Sequence, residues 1–388
     1  MSRAVTPFVW KSGEVGEWIP ASGNGDVPEC FKPPSTHFVE KGGTGDCHGV
    51  TESGTFVFRA ATLNVLTDQF PWPVRLAIAS SVRFPAALQW IEKVSPTFLG
   101  LNEVSPLFME MLGSSEYIQK NYFLSDAPGH PNKTIKDANH HGCVLLSKLP
   151  FESCHAVFPP SGSDREAIAG VFTLPLSEGA AAESTPSRVV ICSQHTISQQ
   201  TEAKKKHRAV QVKGLVDFCT TLNAELGFLI MGDLNLHYIH EDAIVLDNNL
   251  LDCWAETHFG REGDGDEGKS FDSASNRMIP RYIPGEKRRM RLDRILLSQG
   301  CSLFPKTPCE FWAHEPVDVK RNIFVSDHYG LKFDLEAKGG EAFEGSPEVK
   351  EVLKRNAETE EVYEFSSTAF AAALIPHSGW LFLRACGY

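Results

Sequence analysis

FVFRAATLNVL at 56–66, an amphipathic run from Phe84 to Val94, and FLGLNEV at 98–104 read in succession as strand, helix and strand. The unit is too short for two domains and too regular for a loop. Comparable apolar runs follow at CVLLSKL (143–149), AGVFTL (169–174), RVVICSQH (188–195), FLIMGDLN (228–235), LDRILLS (292–298) and YGLKFDL (329–335). Strands at this spacing with helices between them predict a single α/β sandwich over 56–335 rather than two domains.

Outward from this core the pattern fades. Residues 1–55 are rich in Gly, Pro and Ser without a sustained period, and are expected to form an irregular N-terminal extension. EGDGDEGK at 262–269 reads as a charged surface loop inside the domain. After Leu335 the composition turns to a charged linker or solvated helix, with a C-terminal tail through Tyr388, so 336–388 is expected to lie beyond the catalytic domain.

Composition narrows the class. Hydrophobic content of 42% with 22% charged residues fits a soluble globular protein and excludes a chain disordered throughout. Met1–Trp10 carries no long apolar run, and Ala369–Leu383 is broken by Pro376, His377, Ser378 and Gly379, so neither a secretory leader nor a membrane span is expected. Ten cysteines without a Cys-x-x-Cys pair predict buried free thiols rather than a zinc cluster, as suits nucleus or cytosol. A net charge of −12 excludes non-specific coating of a polyanion, leaving only local basic patches for such a partner. Two exist, Lys204–Arg208 and Lys287–Arg291. Each also reads as a solvated charge run, and KRRMR equally as a nuclear-import signal.

Polar residues interrupt the strands at their ends. Asn64 follows AATL, Glu103 follows FLGLN, His195 follows RVVICSQ, Asp233 and Asn235 follow FLIMG, Asp293 lies in RLDRILL, and Asp327 and His328 precede YGLKF. Taken singly, an Asn after an apolar run is ordinarily a turn residue and an Asp-x-Asn an Asx-turn. As a series, strand-end carboxylates, amides and imidazoles converge on one rim of a sheet, where clefts form.

The ordered blocks TLNVL, LNEV, SQH, GDLN, RLDRI and SDHYGL resemble the endonuclease/exonuclease/phosphatase superfamily. The resemblance implies a four-layer α/β sandwich of two packed mixed β-sheets flanked by helices, and a divalent ion, magnesium or in its place manganese. It implies Glu103 as chief metal ligand with Asn64 beside it, and Asp233 orienting or deprotonating the attacking water. Asn235 would help hold that water and the phosphoryl group. His328 would donate to a phosphate oxygen with Asp327 fixing its ring, His195 would be a second phosphate contact, and Asp293 would complete the acidic cluster. Physical logic agrees: phosphodiester hydrolysis needs a cation to offset charge, an acceptor for water and donors at developing oxyanions, and magnesium favours oxygen ligands.

GDLNLH, NNLLDCWAETHFG and SFDSASNRM further resemble the tyrosyl-DNA phosphodiesterase branch, whereas TLNVLTD is closer to the poly(A)-shortening exonucleases. In that branch an arginine stands where this chain has His237 and a tryptophan where it has Phe271, which implies substrate contact at both. Arg165 and Arg208, the latter paired with Gln211, are further candidates for holding substrate or packing the loops. The expected partner is a DNA or RNA end, with no membrane. Alternatives are a 3′ exoribonuclease of the poly(A)-shortening kind and an inositol-phosphate or sphingomyelin phosphohydrolase.

Overall fold

The computed structural model describes residues 2–11, 17–21, 49–51, 55–128, 141–158, 165–176, 187–259 and 268–358. Most of the 262–269 loop and the apolar stretch at 369–383 lie outside them. Two large mixed sheets face each other with helices on both outer faces, the four-layer sandwich expected from the sequence.

In one sheet the strands run, edge to edge, Ser2–Ala4, Ser153–Val157, Ala167–Thr173, Arg188–Ser193, Phe228–Asp233, Asp293–Ser298 and Leu250–Asp252. The other runs Leu303–Pro305, Gly330–Ala337, Phe56–Asn64, Phe98–Val104, Gly142–Ser147, Phe123–Leu124, Phe8–Lys11 and Glu17–Pro20. Each sheet holds a central parallel pair, Arg188–Ser193 with Phe228–Asp233 and Phe56–Asn64 with Phe98–Val104. A crossover helix closes each pair: Glu202–Thr221 in the first, Ser80–Val94 in the second.

Strand parity explains the layering. Phe98, Leu229, Met231, Ile191 and Ile295 join the cluster between the sheets. Their neighbours Leu99 and Leu101 pack outward against Phe84, Ile91 and Phe108, while Val190 and Ile230 meet Val212, Leu215 and Cys219. Strands buried on both faces read as unbroken apolar runs, which is why they were legible. Burying one such Leu, Ile or Phe contributes about 1.5–3 kcal/mol. The crossover helix Glu202–Thr221 buries Arg208, Gln211, Val212, Leu215 and Cys219, the three-and-four spacing of one helical face. Gly100 sits at a close approach of the two sheets, since a Cβ there would lie 3.0 Å from Ser193 Oγ and 3.1 Å from Met231 Cγ.

Two flanks depart from expectation. The N-terminal stretch expected to be irregular supplies short strands at the sheet margins: Ser2–Ala4 pairs with Ser153–Val157, and Phe8–Lys11 with both Phe123–Leu124 and the edge strand Glu17–Pro20. Strands of three or four residues are too short to establish a period in sequence. Beyond Leu335 the last core strand continues to Ala337, and the helix Pro347–Glu358 packs on the short helices Ile239–Asp242 and Ala243–Asp247, burying Val349 and Leu353 in the cluster on that side of the first sheet. The seven cysteines among the described residues are free and buried. No helix among the described residues is long and apolar enough to cross a membrane.

Candidate active site

The parallel pairs carry their C-terminal ends to one rim. Asn64 is in register with Asn102, immediately before Glu103, and Asp233 with Asp293 on the neighbouring antiparallel strand. Two backbone devices aim these side chains. Glu103 has φ of +57°, in a register shift between Leu101 and Val104 against the strand Gly142–Ser147, so a β-bulge redirects the carboxylate. A left-handed non-glycine residue costs on the order of 1–3 kcal/mol, which the surrounding packing must offset. At Gly232, φ is +144° and a Cβ would fall 1.9 Å from the Gln194 carbonyl oxygen. Only glycine lets the strand ends bearing His195 and Asp233 approach this closely.

The polar groups form a chain of contacts. The Asn64 amide donates to Glu103 Oε1 at 3.2 Å and to Asp233 Oδ2 at 3.0 Å. His195 Nε2 lies 3.4 Å from Asp233 Oδ2 and 3.9 Å from Glu103 Oε1. His328 Nε2 is 3.9 Å from the same Asp233 oxygen, while its Nδ1 donates to Asp293 Oδ2 at 2.7 Å. Asn235 donates from its backbone to Asp233 Oδ1 at 2.9 Å and from its side chain to the Thr196 carbonyl at 3.1 Å. Tyr282 donates its hydroxyl to Asp327. Arg165 donates to the His195 ring, 2.9 Å from Nδ1. The structure thus brings together Asn64, Glu103, Arg165, His195, Asp233, Asn235, Asp293 and His328, with Asp327 alongside.

Charge states follow from the neighbours. Burial disfavours the charged form of Glu103, but His141, His195 and Arg165 outweigh it and hold the carboxyl at about 2. Asp233 is likewise pulled far below the usual range, burial being overcome by His328 and His195. Burial also works against a charged His328, yet Asp293, Asp233 and Asp327 keep it protonated well above the ordinary range.

A divalent ion fits this donor set. Asp293 Oδ1 is buried without a hydrogen-bond donor, and carboxylate oxygens of Asp233 and Asp293 lie within 4.8 Å of each other. Clustered carboxylate oxygens suit a hard cation such as magnesium or manganese. Asn64, expected beside the ion as an oxygen donor, has its amide oxygen taken by the Leu66 N–H at 3.0 Å. Its amide nitrogen bridges the Glu103 and Asp233 carboxylates.

Three residues expected at the substrate are bonded or packed within the fold, Arg208 in the loop-packing role that was its alternative. Arg208 is fully buried, its guanidinium bonded to Glu241 Oε1 at 2.7 Å and to the Ile197 and Gln199 carbonyls, so it braces loops instead of gripping substrate. His237 donates to the Ser198 carbonyl at 2.6 Å and accepts from Gln200, which uses both ring nitrogens of a neutral imidazole. Burial, then Arg208, lower its pKa to about 3. Phe271 is 4% exposed, packed with Ile279, Met290 and Leu292 and edge-on to His328 at 5.5 Å, so it offers no open stacking face. The basic runs are also largely spent internally: Lys205 on Glu202, Arg288 on Glu286, Arg289 on Asp272 and Arg291 on Asp252.

Sequence reasoning missed several supports. Asn102 Oδ1 accepts from the Asp233 N–H at 2.8 Å, and parity with Phe98 and Gly100 was the signal placing it inside. Arg83, on the apolar face of its helix, donates to the carbonyls of Val65, Leu66 and Val325, tying together the loops that follow Asn64 and precede Asp327. His141 stacks on His195 at 6.1 Å.

A model described as Endonuclease/Exonuclease/phosphatase family matches residues 61–328. No curated protein matches the sequence. Among solved structures, a humanized D. rerio TDP2 with 14 mutations is similar at 15% identity and TM-score 0.52, covering 72% of this chain and 98% of that one. D. rerio TDP2 complexed with single strand DNA product gives 15% and 0.50 over the same shares, and truncated Caenorhabditis elegans TDP2 gives 16% and 0.51, also over 72% and 98%. At these identities the likeness is one of fold.

Proposed function

The chain belongs to the endonuclease/exonuclease/phosphatase family, whose members hydrolyse phosphoester bonds, and on that premise we propose that it is a divalent-cation-dependent phosphodiesterase acting at a nucleic-acid end, such as a 5′-tyrosyl DNA end. The observation that carries this reading is the Asp233 carboxylate held between two imidazoles, His195 at 3.4 Å and His328 at 3.9 Å, beside Glu103.

Each residue's part follows from its charge. Asp233, an ionised carboxylate, accepts a hydrogen bond from the attacking water and orients or deprotonates it. Protonated His328, pinned by Asp293, donates to a non-bridging phosphate oxygen, and Asp327 adds to the field that keeps it charged. His195, backed by Arg165, forms the second phosphate contact. Asn235, fixed through Thr196, helps hold the water. Glu103, Asp233 and Asp293 would hold the ion, which when bound supplies positive charge against the transferring phosphoryl group. Water attacks directly, and no bond to the chain forms. A nucleic-acid substrate is favoured by the similar fold of a TDP2 complexed with single strand DNA product.

The test is a substrate panel with magnesium: a 5′-phosphotyrosyl oligonucleotide, an oligo(A) RNA, an abasic duplex, an inositol polyphosphate and sphingomyelin. Cation-dependent cleavage of an oligonucleotide is expected. Faster turnover of the inositol polyphosphate or sphingomyelin would overturn the nucleic-acid reading.

A further inference from the structure

Among the described residues, the three most exposed large apolar side chains are Val319 (73%), Trp72 (72%) and Leu76 (59%). All three belong to elements packed on one cluster. The helix Trp72–Ile78 contributes Ile78 and Val74 to it, the hairpin of Pro316–Asp318 with Ile323–Phe324 contributes Val317, Ile323 and Phe324, and the helix Ile279–Tyr282 contributes Ile279's neighbour Met278 and Tyr282. The same elements expose Arg75, Arg281, Lys320 and Arg321. Against these four cations stand two hairpin acids, Asp318, paired with Arg321 at 3.6 Å, and the exposed Glu315. In a chain of net charge −12 this is a local positive excess on elements that also expose large apolar side chains.

The surface leads to the catalytic rim. Arg281 donates to the Arg321 carbonyl, joining helix to hairpin. The Phe70 ring, two residues before Trp72, lies 6.2 Å from the Tyr282 ring, and the Tyr282 hydroxyl donates to Asp327 beside His328. An exposed indole and exposed cations on elements packed together, joined through Tyr282 to the active centre, match what a single strand needs, a π-face for a base and positive charge for phosphates.

We propose that Trp72, Arg75, Leu76, Arg281, Lys320 and Arg321 form a platform that holds a single-stranded nucleic-acid segment leading from the catalytic centre, Trp72 stacking a base and the cations meeting the backbone. The inference rests on the nucleic-acid reading above. It replaces the two basic runs of the sequence, whose cations are largely bound within the fold, by a surface assembled from three separate segments.

The experiment measures binding of a fluorescein-labelled oligo(dT) 12-mer to the full chain in EDTA, alongside magnesium-dependent hydrolysis of bis(p-nitrophenyl) phosphate. Trp72→Ala should weaken oligonucleotide binding roughly 5- to 150-fold, and Trp72→Phe should recover most of it. Arg75→Ala combined with Lys320→Ala should reduce the slope of log affinity against log salt by roughly 1.4, at about 0.7 per phosphate contact. Hydrolysis of the small diester should stay as in the parent. Parent protein that binds no oligonucleotide yet hydrolyses the diester would bring down the nucleic-acid reading itself. Parent-like oligonucleotide affinity in the variants would overturn the platform alone. So would loss of diester hydrolysis in Trp72→Ala, which would assign the residue to the fold, or Trp72-dependent binding of a polyglutamate peptide instead of the oligonucleotide, which would assign the surface to a protein.

Discussion

His328 Nδ1 donates to Asp293 Oδ2 at 2.7 Å, and this bond fixes which way the imidazole faces while the charges of Asp293, Asp233 and Asp327 together keep it protonated. With Nδ1 committed, Nε2 is the nitrogen left to turn toward Asp233. Asp293→Asn should remove the nearest charge supporting the imidazolium and lower turnover on the order of 10²-fold. The check is kcat on the best panel substrate together with an NMR titration of His328. Unchanged turnover with an unchanged titration would reduce Asp293 to a packing residue.

Glu103 should be indispensable to cation-dependent activity. Its carboxylate, ionised down to about 2, is aimed into the cluster by a left-handed backbone at a β-bulge. Glu103→Ala is expected to leave less than about 1% of turnover, on the scale of lost metal-ion charge stabilisation. EDTA should abolish the parent's activity and added magnesium or manganese restore it. Full activity in the chelator would remove the cation from the scheme.

Arg208 should behave as a strut. Truncating one partner of a buried ion pair costs about 3–5 kcal/mol because the other charge is stranded. Arg208→Ala leaves Glu241 in that position, so urea unfolding should show a loss of that size. Replacing both residues with apolar ones of similar volume should recover much of it. An unfolding midpoint like the parent's with a raised KM would return Arg208 to the substrate.

His237 should make the fold acid-sensitive. The unfolded chain protonates this imidazole near 6.5, whereas the folded protein holds it neutral down to about 3. Between those values the unfolded state binds more protons, so stability falls as pH drops through this window, by up to about 1.4 kcal/mol per pH unit. His237→Asn should flatten the dependence of unfolding free energy on pH between 6 and 4. An identical slope would show that His237 is charged in the folded protein.

The sequence by itself determined the core strands, their alternation with helices and the list of polar residues at the strand ends. It could do so because strands buried on both faces must be apolar throughout, so Asn64, Glu103, Asp233 and Asp293 stand out as interruptions. Family membership rests on those same blocks, in order along the chain. Short edge strands such as Ser2–Ala4 carried no such signal, since three residues cannot show a period. Tertiary structure alone decided which polar residues are satisfied inside the protein. Arg208 and Glu241, 33 positions apart, neutralise each other in the interior, and the Arg289 and Arg291 charges meet Asp272 and Asp252 from other segments. A local reading of charge counts cations without their partners, because those partners arrive only when distant loops fold together. Burial settled His237 and Phe271 in the same way, and only folding could set the exposed Trp72 on elements joined to Asp327 through Tyr282.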